Sequence, residues 1–146
     1  MRTVLALLVT WMLVFAQSVC AQNDHIGIFK KVSGDIRIVR ESQTIMPVAG
    51  TQLMRSDRII SGPRSSAGIV FKDGTQLTVG SSTDIQINKY LFQPEETNYA
   101  FSVYLNKGSA IYSSGKIGKI SPQSVSINTP RATVGVRGTR FIVKVE

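Results

Sequence analysis

The chain has almost none of the side chains that carry nucleophilic or metal chemistry. Its 146 residues include one cysteine, Cys20, and one histidine, His25. The sequence therefore offers no nitrogen–sulfur metal cluster, no thiol nucleophile paired with an imidazole and no serine–histidine–aspartate triad. We expect a protein that is not an enzyme and that holds neither a cofactor nor a metal.

Acidic residues are scarce as well. Nine Asp and Glu stand against seventeen Lys and Arg, a formal net charge of +8. The cations are scattered, and aromatic residues such as Tyr90, Phe92 and Tyr99 flank an acidic segment instead of alternating with cations, so the stacking pattern of a nucleic-acid-binding surface is missing. The charge favours contact with acidic proteins, anionic lipid or envelope polymers, and we expect no nucleic-acid partner.

The first segment is typical of a secretory signal peptide. Arg2 precedes an apolar run over residues 4–16, and Val19 and Ala21 occupy the third and first positions before a cut. A membrane-spanning helix needs roughly 20 apolar residues, which is more than this run supplies. We predict that residues 1–21 are a signal peptide, cleaved after Ala21.

The remainder, residues 22–146, is expected to be one exported domain, periplasmic or extracellular. The alternative is a lipid-anchored form, cleaved just before Cys20, although Gln17 and Val19 match that processing signal poorly. With the leader removed, the domain has no cysteine and must be stabilised by burial and hydrogen bonding without disulfides.

Beyond the leader, apolar and polar residues alternate with a period of two. The segments GDIRIVR, TQLTVGSSTDIQINKY, NYAFSVYL and QSVSINT show this alternation and are bounded by Gly, Asn, Asp and Ser. The pattern predicts about ten to twelve short strands and no helix. The predicted fold class is all-β, a single domain of mostly antiparallel strands in a sandwich or roll, with a solenoid-like arrangement as the alternative. The longest loops are predicted over residues 90–99 and 115–123.

Four aspartates lie near Gly or Ser in turn-like surroundings: Asp35, Asp57, Asp73 and Asp84. Paired carboxylates could form a glycosidase site. We interpret them instead as turn residues, because an Asp side chain accepts backbone hydrogen bonds where a turn meets a strand. Asp73-Gly74, within IVFKDGTQLTV, is the strongest hairpin signal in the chain.

Two longer motifs flank this hairpin. GTQLMRSDRIISG precedes it, and VSINTPRATVGVRGTRFIV follows near the end of the chain. In this order they resemble the FecR-type domain, the extracytoplasmic module of bacterial iron uptake and related surface signalling. The resemblance covers about Gly34 to Val143. The matching positions are Gly50, Leu53, Asp57, Ile59, Asp73, Gly74, Thr129, Pro130, Val136, Arg137, Gly138 and Thr139.

We interpret these positions as structural. Glycines on both sides of Val136-Arg137 suit a bulge or a close approach of two backbones. The five donors of the Arg137 guanidinium suit a contact with backbone carbonyls or with a carboxylate such as Asp57. Arg131 and Arg140 are expected to face solvent.

The resemblance implies a non-enzymatic extracytoplasmic binding domain, an accessory in envelope signalling. We expect it to act through protein contacts, such as strand addition at an exposed sheet edge. The expected partner is an extracytoplasmic protein, either a receptor or a membrane-spanning regulator. Only three residues precede the apolar run, so we expect no cytoplasmic segment that holds a sigma factor. The alternative is a cell-envelope attachment or scaffold module that binds anionic glycan or lipid.

Overall fold

The structure is a computed structural model and describes residues 24–137 and 139–146. The predicted signal peptide, its cleavage site at Ala21 and the alternative lipidation site at Cys20 lie outside the described residues, as does Gly138. Within the described ranges, no helix has the length and apolar character needed to cross a membrane.

Strands dominate the described part of the chain, which confirms the predicted all-β class. The twelve strands are β1 Gly27–Ser33, β2 Ile36–Arg40, β3 Gln43–Ile45, β4 Gln52–Leu53, β5 Arg58–Ser61, β6 Ser66–Phe71, β7 Gln76–Val79, β8 Asp84–Gln93, β9 Asn98–Ser113, β10 Val125–Asn128, β11 Thr133–Gly135 and β12 Arg140–Val145. The helical elements are one short α-helix, α1, at Lys116–Ile120, and 3₁₀ turns at Pro94–Glu96 and Pro122–Ser124.

One long strand organises the sheet. β9 has 16 residues and belongs to both arms of a single twelve-stranded sheet. Its first half pairs with β8 on one side and with β10 on the other, whereas its second half pairs with β7 and β12. One arm therefore has the order β3-β2-β5-β8-β9-β10-β11, and the other β4-β1-β6-β7-β9-β12. The pairing is antiparallel except between β9 and β10, as the prediction of a mostly antiparallel fold requires.

The passage of β9 from one arm to the other falls at Gly108. Its φ of +91° lies in the left-handed region, and a Cβ on it would lie 2.5 Å from the Thr83 Cα. Glycine accepts both conditions because it has no side chain. The Thr83 hydroxyl accepts a hydrogen bond from the Ser109 amide at 3.0 Å and lies 3.2 Å from the Ser109 carbonyl oxygen. The turn before β8 is thereby tied to the bend in β9.

The two arms face each other across one apolar core. In β7, for example, Leu77 and Val79 are buried while Gln76 and Thr78 face solvent. The Phe71 ring, from one arm, lies 5.0 Å from the Phe101 ring and 5.3 Å from the Tyr90 ring, both from the other arm. Burial of this alternating apolar set is the main stabilising contribution to the fold.

The hairpin predicted at Asp73-Gly74 is confirmed. β6 and β7 pair antiparallel on either side of it. Gly74 has a φ of +84° and its amide donates to the Phe71 carbonyl at 2.9 Å. Such a φ is the backbone conformation for which a glycine is preferred in a tight turn.

Both predicted long loops are wrong in extent. Residues 90–93 belong to β8 and residues 98–99 to β9, so only the 3₁₀ turn at Pro94–Glu96 and Thr97 separate the strands. The second stretch contains α1 and the 3₁₀ turn that follows it. A helix of five residues is too short to produce a helical period in the sequence. Pro94 and its neighbouring glutamates mark a turn but do not reveal how short the turn is.

Candidate functional site

The first motif forms a corner that is anchored by two buried apolar side chains. Leu53 and Ile59 are fully buried. Gly50 has a φ of +93°, and its amide donates to the Phe29 carbonyl at 2.7 Å. The motif therefore joins the β3–β4 connection to β1 and anchors it in the core.

Asp57, in the same motif, is a buried carboxylate held by an arginine from β2. Arg40 donates from Nε and from Nη2 to the two oxygens of Asp57, each at 2.8 Å. The Met54 amide donates to the same carboxylate at 2.8 Å, and Arg40 also donates to the Gln52 carbonyl at 3.0 Å. The hydrogen bond with Asp57 raises the pKa of the Arg40 guanidinium. This fork-to-fork geometry closes the corner between β2, β4 and β5.

Of the two contacts expected for Arg137, with backbone carbonyls or with a carboxylate such as Asp57, the one with Asp57 is therefore wrong. Arg40 and the Met54 amide occupy the carboxylate, and the Arg137 side chain is exposed. Arg40 comes 17 residues before Asp57. Its partner depends on the pairing of β2 with β5, which no local motif in the sequence reveals.

A second arginine–carboxylate pair lies on the outside of the arm that contains β5 and β8. Arg58 donates to the two oxygens of Asp84 at 2.7 and 2.6 Å. The side-chain amide of Asn106 donates to the same carboxylate at 3.1 Å. The Asp84 side chain is only 7% exposed. The hydrogen bond from Arg58, opposed by burial and supported by Asn106, lowers the pKa of the Asp84 carboxyl. The partner of Arg58, like that of Arg40, depends on strand pairing that no local motif in the sequence reveals.

The carboxylate of the hairpin, Asp73, is also buried, and polar groups from the hairpin itself and from two further segments surround it. Its oxygens accept hydrogen bonds from the Tyr90 hydroxyl at 3.0 Å, the Thr75 hydroxyl at 2.6 Å and the Ile117 amide at 3.2 Å. The Asp73 carbonyl accepts from the Lys116 amide at 2.8 Å. Asp73 thus ties the hairpin to β8 and to the start of α1. Burial and the nearby Asp73 charge raise the pKa of the Tyr90 hydroxyl.

In the last motif, β10 is followed by a turn that is closed by its own hydrogen bonds. The Thr129 hydroxyl accepts from the Ala132 amide at 3.0 Å, and the Thr129 amide donates to the Ala132 carbonyl at 2.8 Å. Pro130, at the tip, is exposed. Farther along, the Thr139 carbonyl accepts from the Ser114 amide at 2.7 Å. This last bond fixes the start of β12 against the end of β9.

The described part of the chain contains no cluster of metal-binding type. There, no group of three or more His, Cys, Asp or Glu side chains is placed to hold a metal ion. His25 precedes β1 and lines an open pocket of about 260 Å³ together with Lys30 and Lys72. Asp57, Asp73 and Asp84 are each engaged by several donors within the fold.

β12 is a long sheet edge on the described surface, and residues 88–93 of β8 likewise pair with another strand on one side only. β3, β4 and β11 end their arms with only two or three residues, whereas β12 has six. β12 pairs with β9 on one side. Among the described residues, no backbone group from Arg140 to Val145 makes a hydrogen bond outside that ladder. The Ile142 side chain, at the middle of the strand, is 70% exposed. Proteins usually protect such edges, since a free row of amides and carbonyls is a template for another strand.

A groove of about 380 Å³ lies between this edge and the turn that leads into β11. Val134 lines it on one side, and Val143 and Val145 on the other. Arg131 and Lys144 lie at its rim. We call β12, with its exposed Ile142, together with this groove the β12 edge. In the sequence, the alternation of FIVKV predicts a strand but does not show that the strand ends a sheet.

Comparisons with known proteins complete the description. A solved structure described as "Cell surface anchoring domain" is similar over 44% of this chain and 86% of that chain, at 22% identity and a TM-score of 0.42. Among curated proteins, none matches the chain. The family described as FecR protein matches residues 57–146, more than half of the chain, which includes the hairpin and the whole of the last motif. The chain belongs to the FecR protein family.

Proposed function

We propose that this protein is an exported, non-enzymatic binding domain that acts through protein contacts at the β12 edge, as an accessory in envelope signalling. The observation that carries the proposal is the unpaired edge of β12 with Ile142 at its centre. A partner strand added there gains main-chain hydrogen bonds along six residues and an apolar contact in the middle. Membership of the FecR family supports a role at the envelope, with a receptor or a membrane-spanning regulator as partner.

Cross-linking in the native envelope tests this proposal. The mature protein, an Ile142→Lys variant and a Val48→Lys variant are each expressed, cross-linked and purified, and the proteins that accompany them are identified by mass spectrometry. Val48 is 67% exposed and lies in the β3–β4 connection, so the same substitution there is the matched control. The N-terminus of the purified protein also distinguishes cleavage after Ala21 from lipidation at Cys20.

We expect the wild type and Val48→Lys to capture the same envelope protein and Ile142→Lys to lose it, with all three melting alike. If all three capture the same protein, the contact lies elsewhere and the proposed site is wrong. If no envelope protein is captured, the proposed function is wrong.

A second candidate function is attachment to anionic envelope polymer or lipid. It is favoured by the open pocket that Lys30, Lys72 and His25 help to line, on the arm that contains β1 and β6. Binding of this kind weakens steeply as salt rises, because exposed charges are screened within about 10 Å at 0.1 M ionic strength. Attachment is supported over protein signalling if glycan or lipid is recovered with the protein and high salt releases it. The double variant Lys30→Ala with Lys72→Ala should then abolish its recovery.

A further inference from the structure

The side chains of β12 are sorted by face. Phe141, Val143 and Val145 are buried or half-buried, whereas Arg140, Ile142 and Lys144 are exposed. The outer face of the edge therefore presents a cation, an apolar residue and a second cation at alternate positions. Any strand added to β12 places its own outward residues directly opposite these three, about 5 Å away.

This arrangement disfavours a second copy of the same strand. If two β12 strands paired antiparallel about Ile142, Arg140 of one would lie opposite Lys144 of the other, at both ends of the contact. A parallel pair in register would place each cation opposite its own copy. Like charges directly opposite each other destabilise a strand pair, so the exposed edge is protected against self-association.

The surroundings strengthen the positive charge. From Thr129 to Glu146 the chain contains four cations, Arg131, Arg137, Arg140 and Lys144, and a single acidic residue, Glu146. Glu146 lies 3.3 Å from Lys144, but these side chains are 87% and 70% exposed. Such a pair in solvent is weak, so an incoming carboxylate can displace it.

The groove determines which residues a partner strand needs on its inward face. Residues of an added strand that point inward would meet Val143 and Val145 from β12 and Val134 from β11. Polar groups buried there without a partner would be costly, and apolar side chains would gain from burial. The inward positions of the partner are therefore apolar.

We propose that the β12 edge binds an extended protein segment in which acidic residues lie opposite Arg140 and Lys144, an apolar residue lies opposite Ile142, and apolar residues alternate with them. This inference rests on the proposed function, since it specifies the partner of the same surface. It selects an acidic, amphipathic strand over a second copy of this chain, whose edge is basic.

The test uses two synthetic peptides, capped at both ends. The acidic probe has the sequence Val-Glu-Val-Ile-Val-Glu-Val, and the basic probe has lysine in place of each glutamate. Affinities are measured by calorimetry at low salt, and the site is mapped by the amide NMR shifts of β12. We expect the acidic probe to bind at least about tenfold more tightly, since two cross-strand charge pairs change from attractive to repulsive.

A charge-reversed protein, Arg140→Glu with Lys144→Glu, should prefer the basic probe. The matched control is Lys31→Glu with Lys89→Glu, which changes the net charge equally on two other exposed residues and should keep the preference for the acidic probe. Melting curves of both variants confirm that they are folded. Equal affinity of the two probes, absence of binding, shifts that map away from β12, or reversal by the control pair overturns the inference.

The two proposals fail separately. The peptide experiment needs no natural partner, so a clear preference for the acidic probe stands even when envelope capture yields no protein. Conversely, capture of a protein that depends on Ile142, together with equal binding of the two probes, supports the proposed function and contradicts the proposed preference for an acidic segment.

Discussion

Arg40 and Asp57 form a two-point ion pair, with both N–O distances at 2.8 Å, in which the carboxylate is fully buried and the arginine side chain is 29% exposed. The pair joins β2 to the turn before β5, and the same carboxylate accepts the Met54 amide. Such a pair matters most when one partner is removed, because the other is left without its counter-charge in a dry environment.

We expect Arg40→Ala and Asp57→Ala each to lower the free energy of unfolding by about 2–3 kcal/mol. The double variant should lose less than the sum of the two, with a coupling of at least about 1 kcal/mol. Urea denaturation of the four proteins measures this cycle. Arg137→Ala is the control and should stay within about 0.5 kcal/mol of wild type, because that side chain is exposed. A loss from Arg137→Ala as large as that from Arg40→Ala would contradict this assignment.

Stability should depend on the ionisation of Asp84. In the folded protein its carboxyl has a pKa below the usual 3.8, mainly because Arg58 donates hydrogen bonds to it. A lowered folded pKa means that the stabilisation is complete above the unfolded pKa and is lost as the pH falls through the folded value. Asp84→Asn should therefore destabilise the protein at neutral pH, and its difference from wild type should shrink as the pH is lowered from about 5 to about 2.

Denaturation midpoints measured across this pH range give the comparison. Asp35→Asn is the matched control, because Asp35 also pairs with an arginine, Arg37, but both side chains are about half exposed and solvent screens the pair. A constant difference between Asp84→Asn and wild type at all pH values would show that the ionised carboxylate is not what stabilises this site.

The Tyr90 hydroxyl links the Asp73 hairpin to β8. It accepts from the Asp73 amide and donates to the Asp73 carboxylate, each at 3.0 Å. Tyr90→Phe leaves both buried groups short of a partner and should cost about 1–2 kcal/mol. Tyr99→Phe should cost much less, since Tyr99 is only half-buried and its hydroxyl has no hydrogen bond within the described chain. Chemical denaturation distinguishes the two, and equal losses would count against the network.

The burial of two tyrosines should also make the stability of the fold depend on pH in the alkaline range. Burial and the Asp73 charge raise the Tyr90 pKa, and burial raises the Tyr112 pKa. A raised folded pKa stabilises the fold below the unfolded value, near 10, and the benefit is lost as the pH rises above it. We expect Tyr90 and Tyr112 to stay protonated until the protein unfolds, as followed by tyrosinate absorbance of the wild type and of Tyr90→Phe. Ionisation of Tyr90 or Tyr112 below the unfolding transition would contradict the burial.

The bend of β9 requires glycine at position 108. An alanine there would combine a φ of +91° with a Cβ 2.5 Å from the Thr83 Cα. We expect Gly108→Ala to lower stability by about 2 kcal/mol or more. At Gly135, no atom lies within 4 Å of a built Cβ and φ is not positive, so Gly135→Ala should be nearly neutral. Thermal melting compares them, and a neutral Gly108→Ala would mean that the two arms do not depend on this bend.

Local sequence signals predicted the elements that depend only on neighbouring residues. Alternation located the strands because a side chain in a strand points to the opposite face from the next one. Asp73-Gly74 located a hairpin because its backbone conformation is intrinsic to those residue types. The loop around Pro94 was overestimated, since turn-forming residues mark where a chain reverses but not how far the strands continue on either side.

Non-local pairing decided everything that the local signals did not contain. Arg40 reaches Asp57, and Arg58 reaches Asp84, only because β5 lies between β2 and β8 in the sheet. A carboxylate in a turn does not indicate which distant guanidinium will meet it. For this reason the sequence led to Arg137, which belongs to a neighbouring motif but makes no contact with Asp57.

By itself, the sequence determined an all-β domain, because strand formation is a property of short segments. Only the tertiary structure decided that β9 serves both arms and that β12 ends one of them. A strand becomes an edge when no other segment pairs with its second side, and that is a property of the whole sheet. The proposed binding surface is therefore a consequence of topology, and the charges that the sequence places on β12 determine which strand it accepts.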